Sequence, residues 1–275
     1  MSSIPTTSTA PVNIGLVGAG KVAGHLARAL HRAGHRVAAL YNRSAAASEA
    51  LQQQLPGSQV LARPDFSNYP VQVIIMAIAD AALPTVAQQV LRPEGCLLVH
   101  TSGTAPLSAL RGTATYPTGV FYPLQTFSQG TEPDMAQVPF CLEAQQPQHL
   151  ALLQGLAQSI GAKAWPINSS DRQQLHVAAV IACNFTNHLL YVAQQHLQQH
   201  NIAPELLHPL IQETIQKSFA LGPFAAQTGP AVRGDVPTLQ RHLQLLHQDP
   251  LMQQVYRDLS THIAQQHGQS LEEGG

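Results

Sequence analysis

Short apolar segments alternate with helix-like segments in the first part of the chain. The apolar segments show no polar alternation, as in VQVIIMAI at residues 71–78. Strands of this kind are buried on both faces, because helices cover both sides of a parallel sheet. The pattern therefore predicts an α/β fold with a doubly wound sheet. Its strands are expected at residues 12–17, 35–41, 71–78, 96–100, 140–144 and 162–167.

The pattern of apolar and polar residues changes after Asn168. Ser169, Ser170 or Asp171 can cap a helix there, and no strand pattern follows. Two domains are thus expected, an α/β domain at residues 11–167 and an all-helical domain at residues 168–275. A flexible tail is expected at residues 1–10 and a disordered end at SLEEGG. Helices are predicted at residues 22–33, 44–55, 83–90, 175–199, 204–221, 236–247 and 250–267.

Composition narrows the classes of partner. Charged residues make up 11% of the chain and the formal net charge is -1, so no basic surface is expected to bind nucleic acid. The chain has no run of about 18 apolar residues, the length that a membrane-spanning helix needs, so a membrane span is not expected. The N-terminal segment lacks the positive start and apolar stretch of a secretory signal. A cytoplasmic protein is expected.

Cysteine and histidine do not form a recognisable metal site. Cys96, Cys141 and Cys183 are widely spaced, which favours a reducing compartment and three small buried side chains. His196 and His200 have the spacing of ligands on one helix face, but no acid or cysteine lies nearby. No metal is expected.

The strongest local motif is a glycine-rich turn between a strand and a helix. Gly18, Gly20 and Ala23 form G-x-G-x-x-A. The first glycine permits the tight turn, the second lets the backbone approach a pyrophosphate, and the alanine lets the helix pack on the strand. The free N–H groups at the helix start favour the anion. This context predicts a Rossmann domain that binds a dinucleotide, and Ala19, Lys21 and Val22 are expected to line the cofactor with the glycines.

The end of the second strand predicts which dinucleotide binds. NAD-binding chains usually place an acid there, about 20 residues after the glycines. Here Asn42 occupies that place, Arg43 can face a 2′-phosphate, and Ser44 can donate a hydroxyl. The sequence therefore favours NADP(H) over NAD(H).

Several segments resemble a known superfamily. GLVGAGKVAGHLARAL at residues 15–30 and the NRS ending of the second strand are similar to pyrroline-5-carboxylate reductases and β-hydroxyacid dehydrogenases, whose helical domains are of the 6-phosphogluconate dehydrogenase C-terminal type. HTSGTAPLSAL (100–110), FYPLQTF (121–127), LHVAAVIACNF (175–185) and TGPAVRGDVPTLQRHL (228–243) narrow the resemblance to bacterial Rossmann-like proteins with a C-terminal helical domain of unknown function. It implies NADP, an oxidoreductase reaction and a homodimer, and it names no substrate.

The loops after the later strands carry candidates for chemistry. Ala79 is expected along the cofactor, and Asp80 is expected to cap the next helix. By resemblance, Ser102 and Gly103 match a Ser-Gly pair that holds substrate carboxylate or hydroxyl in β-hydroxyacid dehydrogenases. A polar turn is the alternative for that pair.

The long helix and a late loop carry the remaining candidates. Relatives use a lysine as acid on this helix, with an asparagine four residues away, and this chain has no lysine there. His176 can take that role, with Asn184 roughly on the same face and orienting the substrate. The alternative for His176 is a structural role as a buried, hydrogen-bonded histidine. In TGPAVRGD, Thr228 and Arg233 can bind substrate, or Arg233 and Asp235 can instead fix the loop.

Two functions follow from these residues. The first is an NADP(H)-dependent oxidoreductase that reduces a small carbonyl or imine compound, with His176, Asn184 and Ser102 near the reacting centre. The second is an NADP(H)-binding sensor or scaffold without turnover, which the missing helix lysine favours.

Overall fold

The computed structural model describes residues 10–110, 116–128 and 130–271. The chain divides into two compact units, Met1–Thr186 and Asn187–Gly275. The tails expected at residues 1–10 and at SLEEGG fall almost entirely outside the described residues. The domain boundary expected at residues 167/168 stays a prediction.

One eight-stranded sheet organises the first unit. Its strand order is β3-β2-β1-β4-β5-β6-β7-β8. Neighbouring strands are parallel except β6 and β7, which are antiparallel. The strands are β1 (Asn13–Val17), β2 (Arg36–Tyr41), β3 (Gln59–Val60), β4 (Val73–Met76), β5 (Leu97–His100), β6 (Thr118–Pro123), β7 (Pro139–Ala144) and β8 (Lys163–Pro166). The predicted α/β class is confirmed.

The sheet is buried on both faces, as the apolar runs predicted. Along β4, Val73 and Ile75 belong to one core cluster, whereas Ile74 and Met76 belong to another. Helices α1 and α4 contribute to the first cluster and α3 to the second. The helices of this unit up to β8 are α1 (Lys21–Arg32), α2 (Ala45–Gln52), α3 (Leu83–Gln89) and α4 (Pro147–Ser159).

Among the described residues up to β8, two strands and one helix were not predicted from the sequence. β3 has only two residues, and β6 carries Gly119 and Pro123, residue types that are depleted in strands. Helix α4 begins at Pro147, at the first helical position where proline is tolerated.

The chain after β8 is helical, as expected. Its helices are α5 (Ser169–Ala179), α6 (Thr186–Gln199), α7 (His208–Leu221), α8 (Pro223–Ala226), α9 (Val236–Leu245) and α10 (Pro250–Gln266). A π-helical turn, Val180–Phe185, joins α5 to α6. The expected cap of α5 was wrong: Asn168 accepts from the Asp171 backbone N–H at 2.9 Å and caps the helix.

The helical stretch Ser169–Gln199 is long and apolar enough, by length and composition alone, to cross a membrane. None of its apolar window is buried inside the protein. Uninterrupted apolar runs did not reveal it, because His, Asn and Gln interrupt the alanines, valines and leucines. A single helix of this kind is weak evidence for a membrane span.

Candidate functional site

A cavity of about 850 Å³ opens in the first unit at the carboxyl ends of the parallel strands. It is lined by the residues that follow β1, β2, β4 and β5, by the end of β6 and by one residue of α5. Ligands of doubly wound folds bind at this edge of the sheet. Most of the residues singled out in the sequence of this unit therefore meet around one space.

The turn after β1 requires glycine at Gly18. Its φ is +111°, and a Cβ there would collide with the carbonyl oxygen of Ala77. The Gly18 N–H donates to the carbonyl of Tyr41 at 2.8 Å, which ties the turn to the end of β2. The glycine thus lets β1, β2 and β4 end close together.

Gly20 leaves open space at the start of α1. Nothing lies within 4 Å of a Cβ built there, and no side chain caps the helix. The N–H groups of the first turn are therefore available to an anion. Ala23 is completely buried against the sheet, as its small size predicted. These features fit a pyrophosphate, with Ala19, Lys21 and Val22 lining the same space.

The residues after β2 divide into two roles. Asn42 and Arg43 line the cavity. Ser44 instead caps α2 by accepting from the Ala47 N–H at 3.4 Å, so its hydroxyl serves the helix. Arg43 is exposed and takes part in none of the ion pairs formed by the described residues. Its guanidinium is free to meet a phosphate.

Asp80 does not cap the next helix. Ala79, which lines the cavity, is the N-cap residue of a short 3-10 turn, Asp80–Ala82, and Ala82 is the N-cap residue of α3; no side chain caps either element. One carboxylate oxygen of Asp80 accepts from the hydroxyls of Ser102, at 2.7 Å, and Thr104, at 2.5 Å. The expectation was wrong because Asp80 binds a loop that lies beside it only in the folded sheet.

Ser102 organises the loop after β5. Its hydroxyl donates to Asp80 and accepts from the backbone N–H groups of Thr104, at 3.0 Å, and Ala105, at 2.9 Å. The residue is buried. It lines the cavity, but its hydrogen is committed to a carboxylate, so the hydrogen bonds favour a positioning role.

Gly103 faces two aromatic side chains. A Cβ there would lie 2.9 Å from Cζ of Tyr122 and would collide with Nδ1 of His176. Tyr122 Oη and His176 Nδ1 are 3.1 Å apart, with ring centroids 6.1 Å apart. Burial raises the pKa of Tyr122 to about 12. Tyr122 was not predicted as a site residue, and its place in FYPLQTF was the one signal for it in the sequence.

Asn184 does not join this group. It lies in the π-helical turn, is exposed, and is absent from the cavity lining. The expected shared face with His176 assumed a regular α-helix, and the wider π turn changes the rotation between them. Its catalytic role stays a prediction.

Thr228 and Arg233 belong to the second unit. Both are exposed. Asp235 caps α9 by accepting from the Thr238 N–H at 3.2 Å. Hydrogen bonds from the Thr238 side chain and then its backbone lower the pKa of the carboxyl, and the charge of Arg233 adds to this. No ion pair joins Asp235 to Arg233 in the described part of the chain, and the alternative in which the two residues fix the loop stays open. Their role toward substrate stays a prediction.

The fold and the glycine turn define a Rossmann-like protein. Two family models match the chain: a Rossmann-like domain at residues 3–118 and a domain of unknown function (DUF2520) at residues 138–263. The chain belongs to the family that combines these two domains. No curated protein sequence matches it significantly.

Solved structures share this architecture. A candidate NADP oxidoreductase from Bacteroides fragilis is 35% identical, with a TM-score of 0.83, over 93% of this chain and 98% of that one. A reductive aminase from Aspergillus terreus, solved with NADPH and ethyl-5-oxohexanoate, is 13% identical, with a TM-score of 0.71, over 96% of each chain. A 1-pyrroline-5-carboxylate reductase from Streptococcus pyogenes is 14% identical, with a TM-score of 0.61, over 94% of this chain and 98% of that one. The last two show the fold alone.

Proposed function

We propose that this protein is an NADP(H)-dependent oxidoreductase that reduces a small carbonyl or imine compound. One observation carries the proposal: the open helix start at Gly20 and the exposed Arg43 line the same cavity as the Tyr122–His176 pair. The first two suit the phosphates of one nucleotide, and the pair suits a reacting substrate.

The cofactor would be held along the ends of β1, β2 and β4. Gly18, Ala19, Gly20, Lys21 and Val22 would hold its pyrophosphate. Asn42 and Arg43 would meet the 2′-phosphate of NADP(H), with Ser44 fixing the helix behind them. Ala79 would lie along the cofactor. When bound, NADPH supplies a hydride. The name of the Bacteroides relative and the NADPH complex of the Aspergillus enzyme support this cofactor.

Substrate would lie at the other end of the cavity. His176, Ser102 and Gly103 line it there. Asn184, Thr228 and Arg233 stay candidates for substrate contact. Beyond a small carbonyl or imine compound, the substrate itself is open.

A homodimer in the cytoplasm completes the proposal. Phe219 is 87% exposed and Leu251 is 83% exposed in the single chain. Such large apolar side chains are expected to be covered by a second copy. The free cysteines, one of them exposed, suit a reducing compartment. The apparent mass in solution tests the dimer.

An NADP(H)-binding sensor without turnover is the second candidate. The long helix carries no lysine where superfamily members place their acid. The sensor needs the nucleotide site alone, whereas the enzyme also needs a proton donor.

One pair of measurements separates these functions. Fluorescence titration with NADPH and NADH tests the cofactor, and NADPH oxidation with a panel of aldehydes, 2-oxo acids and cyclic imines tests turnover. Tight NADPH binding with turnover supports the enzyme. Tight binding without turnover supports the sensor, and absence of binding contradicts both.

A further inference from the structure

We propose that Tyr122 donates the proton to the substrate and that His176 restores it. This inference rests on the proposed reductase function. It assigns the proton step to a tyrosine on the sheet, where the sequence had pointed to the histidine alone.

The positions of Tyr122 and His176 support this assignment. Tyr122 lies one residue before the end of β6, and His176 lies on α5. Both side chains line the cavity and are partly buried. Gly103 is what allows them to approach the loop after β5, because any Cβ there would overlap both rings. The two rings and the glycine therefore form one packed unit at the substrate end.

Tyr122 is also the hydroxyl group of the cavity best able to donate its hydrogen to a substrate. The hydroxyls of Ser102 and Thr104 both donate to Asp80, so neither offers its hydrogen to a substrate. Thr101 also lines the cavity, but an aliphatic alcohol is a weaker acid than a phenol. The Tyr122 hydroxyl faces an imidazole nitrogen, which can donate to it as well as accept from it.

The chemistry explains why two groups are needed. The raised pKa of Tyr122 keeps the phenol protonated but makes it a weak acid on its own. In the step, the phenol O–H bond breaks and the proton joins the substrate oxygen or nitrogen, while the neighbouring carbon receives the hydride that NADPH supplies. The Nδ1–H of His176 then gives its proton to the phenolate as the imidazole takes up a replacement proton from solvent, so that the reduction consumes one solvent proton overall.

Tyr122→Phe tests the donor, with Tyr69→Phe as the matched control. Tyr69 is a partly buried tyrosine of the same unit outside the cavity lining. For a substrate that the wild type reduces, we expect Tyr122→Phe to lower kcat about a hundredfold or more and to leave the Kd for NADPH within about twofold. Added imidazolium buffer should restore part of the lost rate in proportion to its concentration, a readout that a purely structural role would not move. Tyr69→Phe should match the wild type.

His176→Gln tests the second group. Its kcat should also fall while NADPH affinity is kept, and added imidazolium should restore part of the lost rate, because it can return a proton to the Tyr122 phenolate in place of the missing imidazole. A Tyr122→Phe variant with wild-type kcat, or one that loses NADPH affinity as strongly as rate, would overturn the inference and leave the proposed function standing. A wild type that binds NADPH and reduces nothing in the panel would contradict the proposed function and this inference together.

Discussion

Arg172 and Glu143 form a largely buried ion pair in the first unit. Nη1 of Arg172 donates to Oε2 of Glu143 at 2.5 Å, and the arginine side chain is completely buried, whereas that of the glutamate is 18% exposed. Nη2 of Arg172 donates to the carbonyl of Ala105, and Ser169 Oγ donates to the same glutamate at 2.8 Å. One guanidinium thus joins β7, the start of α5 and the loop after β5.

Removing one member of this pair should destabilise the first unit strongly. Arg172→Met leaves a partly buried carboxylate unpaired, and Glu143→Leu leaves a fully buried guanidinium unpaired. Each is expected to lower the free energy of unfolding by about 3–5 kcal/mol, measured by urea denaturation.

The double variant Arg172→Met/Glu143→Leu is the control. With both charges removed, no buried charge is left without a partner, so stability should recover much of the loss. Losses that simply add in the double variant would contradict a coupled pair.

Gly18 and Gly20 should respond differently to alanine. Gly18→Ala places a Cβ against the Ala77 carbonyl at positive φ, so we expect unfolding free energy to fall by at least about 1–3 kcal/mol. Gly20→Ala adds a methyl group to open space. It should leave the thermal midpoint almost unchanged but weaken NADPH binding, because the methyl occupies the space of the pyrophosphate.

Thermal unfolding and fluorescence titration on the same preparations check this pair. Gly57→Ala is a control for the general cost of a Cβ at positive φ, since nothing lies near it. An NADPH affinity for Gly20→Ala equal to that of the wild type would rule out the pyrophosphate position.

Arg43 should determine the preference of the protein for NADPH over NADH. Arg43→Ala is expected to weaken NADPH binding about ten- to hundredfold, the value of one or two hydrogen bonds to a charged group. NADH binding should change little, because NADH has no 2′-phosphate. Arg63→Ala, another exposed arginine outside the cavity lining, is the matched control in the same titrations. Equal loss for both cofactors would contradict the assignment.

Stability should fall as the pH falls from about 6.5 to 4. Burial, together with the charge of Arg172, lowers the pKa of His100 to about 4 from an ordinary value of 6.5. Burial also lowers the pKa of His35. In this window the unfolded imidazoles bind protons that the folded ones exclude, so acid favours unfolding. The His100 contribution, present above pH 6.5 and lost by pH 4, is on the order of 3 kcal/mol.

Urea denaturation at several pH values between 7.5 and 4 measures this slope. His100→Asn keeps an acceptor for the Ser102 N–H, which Nδ1 of His100 now receives at 3.1 Å, and it cannot titrate. Its slope should be shallower than that of the wild type, whatever its absolute stability. Identical slopes would show that His100 does not control acid stability.

The sequence by itself determined the class of fold and the cofactor end of the candidate site. The buried strands, the glycine turn and Arg43 could be identified because each depends on residues adjacent in the chain or on a regular period. The tight turn at Gly18 and the helix start at Gly20 are local features of the motif, and uninterrupted apolar runs indicate strands covered on both faces.

Only the tertiary structure determined the substrate end of the candidate site. Asp80 and Ser102 are 22 residues apart, Tyr122 and His176 are 54 apart, and Arg172 and Ala105 are 67 apart. No local pattern specifies such pairs, because they depend on the order of strands in the sheet and on the helix that packs beside it. For the same reason Asp80 resembled a helix cap, β6 was not recognised as a strand, and the π turn that contains Asn184 was not predicted.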